Sequence, residues 1–276
     1  MSKLATLLGL IIGLIILTLS MIDYQQGQFI SAFINWQGLA LVLGGTFAAV
    51  FINYPLQQVG CIFRGFIKIL TSEPATHEGV IEELVHLSHL SKQKGLLAIE
   101  NSIDHIEDRF FRFSVTEMLI YQDPNTLKQS LEHRLISLRL RHLRCQEVYS
   151  NMASYAPAFG MMGTVMGLII MMTTQVSTGD MSSPYGGEGA QDMLASLLNG
   201  MGLALVTTFY GVLFSNLLFM PIAGKLKVLS EAEVLKNEII IHGVMALKKS
   251  ESTLLIKEQL LAFVNEKTKQ KLEGLR

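Results

Sequence analysis

Four long runs of this 276-residue chain contain no Asp, Glu, Lys or Arg: residues 4–22, 36–52, a third built on residues 155–170, and a fourth over about residues 197–223. A helix crosses the hydrocarbon of a bilayer in about 20 apolar residues. Backbone N–H and C=O groups at that depth must find partners within the segment itself. The runs therefore predict four transmembrane helices. Composition agrees, with half the residues hydrophobic and 16% charged, against roughly 25% charged in an ordinary soluble protein. The net charge of -1 says nothing about nucleic acid, and no basic run or aromatic-basic interleaving points to such a partner.

The third and fourth runs organise the rest. Gly163 and Gly167 stand four apart in the third, a spacing that lets helix backbones approach closely in lipid. Gly9 and Gly13 repeat it in the first run. Hydroxyls lie in apolar surroundings at Thr164, Thr207 and Thr208, and we take these three as candidates to line an ion path. The rival reading is a hydroxyl bonded back to its own helix carbonyl. Pro157 lies in the third run and Pro221 at the edge of the fourth. In lipid a proline frees a carbonyl that a neighbour must satisfy, which marks a cavity or hinge, or else simply a helix end. The first run reads as an uncleaved span, because Thr18-Leu19-Ser20-Met21-Ile22 is a poor cleavage site for a signal peptide. Trp36 and Tyr54 flank the second run as interfacial aromatics.

Residues 56–150 change character. Residues 56–70 extend or flank the second span, and from residue 72 the pattern is amphipathic helix. Thr76-His77-Glu78-Gly79 reads as a helix start and Ser91-Lys92-Gln93-Lys94-Gly95 as a break. Helical spacing resumes over 96–121, and Asp123-Pro124-Asn125 turns into a helix that runs straight into the third span. Beyond Pro221 the chain is polar and helical, with Ile239, Ile240 and Leu247 as one apolar stripe and Leu254, Leu255, Leu260, Leu261 and Val264 as another.

Basic residues fix the orientation. Of 22 Lys and Arg, one is Lys3, 11 lie between Arg64 and Arg144, and 10 between Lys225 and Arg276. The basic-free windows hold the two short inter-span loops. Positive charge is retained on the cytoplasmic side, so both termini and the large middle loop are expected there.

The chemistry within the spans is sparse. His86 and His89, three apart, lack a third ligand at useful spacing and read as a solvated helix face. No phosphate-binding loop of the GxxxxGK[ST] kind is present, so neither an enzyme nor a cofactor is expected. Cys61 and Cys145 read as reduced thiols, and most of the 14 methionines as apolar filler. Ion passage through lipid calls for a carboxylate or similar relay. None of the four runs supplies one, so either these spans are not an ion path or a partner supplies the acid.

At several stretches the chain resembles the MotA/PomA family of flagellar stator subunits, within the wider MotA/TolQ/ExbB channels. These are Leu43-Gly44-Gly45-Thr46, Gly95-Leu96-Leu97-Ala98-Ile99-Glu100, Ala156-Pro157-Ala158-Phe159-Gly160-Met161-Met162-Gly163-Thr164, Thr207-Thr208-Phe209-Tyr210-Gly211, and Asn216 through Pro221-Ile222-Ala223-Gly224-Lys225-Leu226. The resemblance implies a homo-pentamer around a dimer of single-span MotB/PomB-like subunits whose Asp carries the transported H+ or Na+. It assigns Thr164 and Thr208 to the ion site, with a lean towards Na+. It gives Pro157 and Pro221 to coupling, and Lys92 and Glu100 to the surface that meets a cytoplasmic rotor or other effector. Lys92 stands where the family has Arg, Asn101 and Ile103 where acids often follow, and Asn35 where an acid precedes the second span.

The expected fold is an all-α integral membrane protein of the bacterial inner membrane. Residues 1–55 hold transmembrane helices 1 and 2, and 56–150 form a cytoplasmic helical domain. Residues 151–223 hold helices 3 and 4 with an outer loop at 175–191, and 224–276 form a helical cytoplasmic tail. The expected function is conversion of ion flow into torque. The alternatives are a TolQ/ExbB-like subunit energising another envelope process and a passive scaffold whose threonines only pack.

Overall fold

A computed structural model describes residues 2–23, 28–29, 33–71, 77–177, 188–264 and 269. Among them the elements are almost wholly helical. Helix α1 (Ser2–Ser20) leads into a minimal hairpin in which Ile22 pairs with Phe29 and Asp23 with Gln28. Then follow α2 (Trp36–Asn53), α3 (Leu56–Val59), α4 (Cys61–Thr71), α5 (Glu78–Lys94), a 3-10 helix (Leu96–His105), α6 (Arg109–Ile120), α7 (Pro124–Ser177), α8 (Glu188–Leu213), a π-helical turn (Phe214–Phe219), α9 (Met220–Lys248) and α10 (Thr253–Leu261). Most of the expected outer loop lies outside the described residues.

Among the described residues, three helices are long and apolar enough to cross a membrane: Trp36–Asn53, Pro124–Thr173 and Leu197–Lys248. A shorter apolar stretch, Leu7–Ser20, belongs to α1. Leu7, Leu8, Ile11, Ile12, Ile15 and Ile16 of α1 are exposed, as are Met161, Met162, Val165, Ile169 and Met172 of α7. Apolar surface on this scale is not left to water, and the chain is a membrane protein.

The described residues form two compact units. The first comprises residues 1–72 and 144–226. Its core joins Val42 and Val50 of α2, Ile62 and Ile69 of α4, Val148, Tyr149, Met152 and Ala156 of α7, Val206 and Tyr210 of α8, and Phe219 with Ile222. Asn35 begins α2, its side chain accepting from Gly38 N–H at 2.9 Å. The helix stops at Asn53, two residues before Pro55, as the restriction on residues preceding proline requires. On α4, Ile62, Gly65 and Ile69 form the buried face. There the Tyr149 hydroxyl donates to the Ile62 carbonyl and Cys145 Sγ to the Cys61 carbonyl. Residues 61–71 thus pack with the apolar helices rather than with the loop that follows.

The second unit comprises residues 73–143 and 227–276. Its core takes Ile81, Leu84 and Leu87 from α5, Phe111, Val115 and Met118 from α6, Leu127, Leu131 and Leu135 from α7, Ile239, Ile240, Val244 and Leu247 from α9, and Ile256, Leu260 and Leu261 from α10. Spacings of three and four place each set on one helix face. Gly95, at φ 84°, ends α5 in a conformation open to glycine.

Two expectations are corrected. The continuous helical spacing over 96–121 is broken, because Ile106 is buried in extended backbone and Asp108 starts a new helix, accepting from Phe110 and Phe111 N–H at 2.8 and 2.9 Å. The final stripe is also rotated. Ser252 caps α10, which turns Ile256, Leu260 and Leu261 inward and leaves Leu254 and Leu255 exposed.

Candidate functional site

Two apolar helices of the first unit meet along a seam of small residues. A Cβ on Gly167 of α7 would stand 2.5 Å from the Gly200 carbonyl and 2.9 Å from Ala204 Cβ of α8. On Gly163 it would strike Thr207, and on Gly160 the Thr207 carbonyl at 2.9 Å. On Gly211 it would fall 2.7 Å from the Ala156 carbonyl and 3.1 Å from Pro157 Cα. Contacts descend α7 as they climb α8, so the helices run antiparallel, backbone on backbone. The spacing of Gly163 and Gly167 signals close approach. It cannot name the facing residues, because Gly200, Ala204 and Gly211 are ordinary small residues until the register is known. The second helix joins the same packing. A Cβ on Gly38 would stand 3.1 Å from Thr207 Cγ2, and one on Gly45 would strike the Phe159 ring.

The three candidate hydroxyls sit on or beside this seam with different surroundings. Thr207 is fully buried, its Oγ1 donating to the Leu203 and Ala204 carbonyls at 2.9 and 3.0 Å. Thr164 donates to the Met161 carbonyl at 2.6 Å and Thr208 to the Ala204 carbonyl at 3.2 Å, and both remain partly exposed. Thr164 lies one turn beyond Gly160, and Thr208 Cα faces that same glycine. Both therefore edge one side of the seam, with oxygen lone pairs still available, while Thr207 is enclosed by Gly163 and Gly38. All three hydroxyl protons are engaged by their own helices, so these oxygens can offer lone pairs to a cation or water but no free proton. No Asp, Glu, His, Lys or Arg falls in residues 151–173 or 197–223.

Pro157 lies inside α7, half-buried, and Pro221 in the first turn of α9, exposed. A proline removes one helix N–H and crowds the carbonyl four residues back. Before Pro221 the chain answers with the π-helical turn Phe214–Phe219, where Met220 N–H reaches the Ser215 carbonyl. Such turns are rare and concentrate at functional sites.

In the second unit, Lys92 Nζ donates to the Ser250 carbonyl at 2.8 Å. Ser250 is at φ 56°, a left-handed conformation for which serine has little preference, so Lys92 helps to hold the α9–α10 turn. Glu100 is exposed on the 3-10 helix. A cleft of about 630 Å³ opens elsewhere in this unit, lined by Arg109, Arg134, Arg141, Lys236 and Asn237 among others. Neither Lys92 nor Glu100 borders it. His86 and His89 are exposed on α5, and no three His, Cys, Asp or Glu side chains gather as metal ligands among the described residues.

The model of the MotA/TolQ/ExbB proton channel family matches residues 102–239, half of the chain. Motility protein A of Treponema phagedenis is 32% identical over 90% of both chains. Chemotaxis protein PomA of Vibrio alginolyticus is 28% identical, over 95% of this chain and 96% of its own. The fold superposes on the flagellar MotAB stator complex from Bacillus subtilis with a TM-score of 0.80 over 98% of both chains, at 24% identity. The chain belongs to the MotA/TolQ/ExbB proton channel family, among its MotA and PomA flagellar stator subunits.

Proposed function

We propose that five copies of this chain surround a dimer of single-span MotB-like subunits in the bacterial inner membrane. The assembly turns inward ion flow into rotation that drives the flagellar rotor. The observation that supports this reading is the close α7–α8 seam, which has Thr164, Thr207 and Thr208 on or beside it and no Asp or Glu in residues 151–173 or 197–223. The relay must then come from a partner helix carrying a carboxylate. The named relatives are a motility protein and a chemotaxis protein, and the Bacillus subtilis structure is a flagellar MotAB stator complex.

In this arrangement four helices cross the membrane, with Leu7–Ser20 as the core of the first. Both termini, the segment between α2 and α7 and the chain beyond α9's first turn lie in the cytoplasm, as the basic residues require. Thr164 and Thr208 border the ion, Thr207 closes the wall behind them, and Pro157 and Pro221 shape the helices that move. Lys92 and Glu100 present the effector surface. A charge crossing a membrane at 100 mV releases about 2.3 kcal/mol, and that free energy drives the turning.

Affinity purification of the tagged chain from native membranes, followed by mass spectrometry, tests the reading. Recovery of a single-span protein with a membrane Asp and a peptidoglycan-binding domain is expected. Replacement of Na+ by K+ in motility medium then separates Na+ from H+ drive. A partner with a different outer domain, or attached envelope-transport proteins, would move the output to an ExbB- or TolQ-like process.

A further inference from the structure

Pro157 has no N–H to offer the carbonyl four residues back, that of Ala153. Ala153 is 3% exposed, so water does not replace the lost donor, and an unmet carbonyl at such a site is strongly disfavoured. The missing bond is supplied by another helix, where Ser215 Oγ donates to the Ala153 carbonyl at 2.6 Å, with Ser215 itself 4% exposed. Ser215 belongs to the π-helical turn that precedes Pro221, and its own carbonyl accepts from Met220 N–H. One turn earlier on the same face, Gly211 lets the backbone press against Ala156 and Pro157. One hydroxyl thus fills the vacancy made by Pro157 and sits in the turn that accommodates Pro221.

We propose that Ser215 is a positioning residue of the stator. Its bond to the Ala153 carbonyl joins the two proline-modified helices, so that movement of one is transmitted to the other. The inference rests on the stator reading for its functional half only, because the bond itself is a property of the fold. Ser215 touches neither ion nor partner in this account. It acts by fixing the register between α7 and the π-turn. A serine serves because its side chain is short enough to reach a backbone carbonyl across a glycine-spaced contact and, unlike alanine, carries a donor. Threonine retains that donor.

The test is made in cells expressing the full stator complex and on the purified complex. Ser215→Ala is expected to reach wild-type membrane levels within about twofold and to lower swimming speed at least about fivefold, with Ser215→Thr restoring most of it. In the purified complex, Ser215→Ala is expected to lower the melting midpoint by about 2–4 °C. In a Pro157→Ala background the restored N–H meets the Ala153 carbonyl, and the same change is expected to shift the midpoint by less than about 1 °C. Wild-type speed with Ser215→Ala at normal levels overturns the coupling role, as does speed lost only in proportion to protein level. Equal midpoint shifts in the two backgrounds overturn the bond. The melting cycle needs no motility, so it decides the bond even if the stator reading fails.

Discussion

A Cβ added to Gly163 would stand 2.4 Å from Thr207 Oγ1 and 2.5 Å from its Cβ. Thr207 is β-branched, and its hydroxyl is held by two carbonyls of its own helix, so it has little freedom to yield. Gly163→Ala must push α7 and α8 apart. Overpacking of this kind costs about 1–3 kcal/mol, and the displaced seam should abolish ion-driven work. Gly44→Ala is the matched control, because nothing lies within 4 Å of its Cβ position. Melting midpoints and motility of the two variants should separate cleanly. Equal behaviour would show that the seam is not closely packed in the assembled protein.

The three threonines should divide into two classes. Thr207 is enclosed, and its hydroxyl bonds only its own helix, so Thr207→Val keeps the shape and should retain at least about half of wild-type motility. Thr164 and Thr208 are partly exposed beside the seam. Thr164→Val and Thr208→Val should therefore lower ion-dependent swimming by about tenfold, equivalent to 1.4 kcal/mol, at unchanged expression. Swimming speed across a series of Na+ concentrations reads the difference. Unaltered swimming in both variants would leave the threonines as packing residues alone.

What the sequence discloses and what it withholds differ by range. The apolar runs, the turn at Asp123-Pro124 and the helix continuing from it are local patterns, and the structure keeps them as Pro124–Ser177 in one helix. Gly163 and Gly167 likewise disclose a close approach. The bond from Ser215 to Ala153 spans 62 positions, and no local pattern marks it. A serine amid Phe214 and Asn216 reads as one more small residue of a span. The break at Asp108 was legible in principle, since aspartate followed by a helical pattern is a start signal. The apolar residues on both sides of it concealed the boundary by continuing the helical spacing. Lys92 shows a different limit. Its charge suggests a partner surface, whereas its bond to the Ser250 carbonyl emerges only when α5 and the α9–α10 turn come together.

Acid should weaken the second unit through Asp108. Its half-burial alone would raise the carboxyl's pKa. The Lys236 ammonium and the Phe110 and Phe111 N–H groups outweigh that effect and hold it below the usual carboxylate range. A carboxyl whose folded value is depressed adds stability above its unfolded value, and that stability is lost as pH falls through the folded one. The melting midpoint of the purified chain should thus fall as pH drops below about 4. Asp108→Asn keeps the helix cap but not the ion pair, so it should cost about 2 kcal/mol at neutral pH and flatten the acid limb. An acid limb identical in the two proteins would remove Asp108 as its origin.

Glu100 and Lys92 should respond differently to charge reversal. Glu100 is exposed, so Glu100→Lys should change stability by no more than about 0.5 kcal/mol. If Glu100 meets the rotor, the same variant should still markedly impair swimming. Lys92→Glu removes the donor to the Ser250 carbonyl and places a like-signed oxygen beside it, which should lower stability by about 1–2 kcal/mol as well as impairing swimming. Lys92→Arg retains a donor and should preserve the fold. A thermal melt beside a swimming assay separates the effects. Normal motility in Glu100→Lys would exclude that residue from the torque surface, and a Lys92→Glu protein as stable as wild type would show that Lys92 acts only through its surface charge.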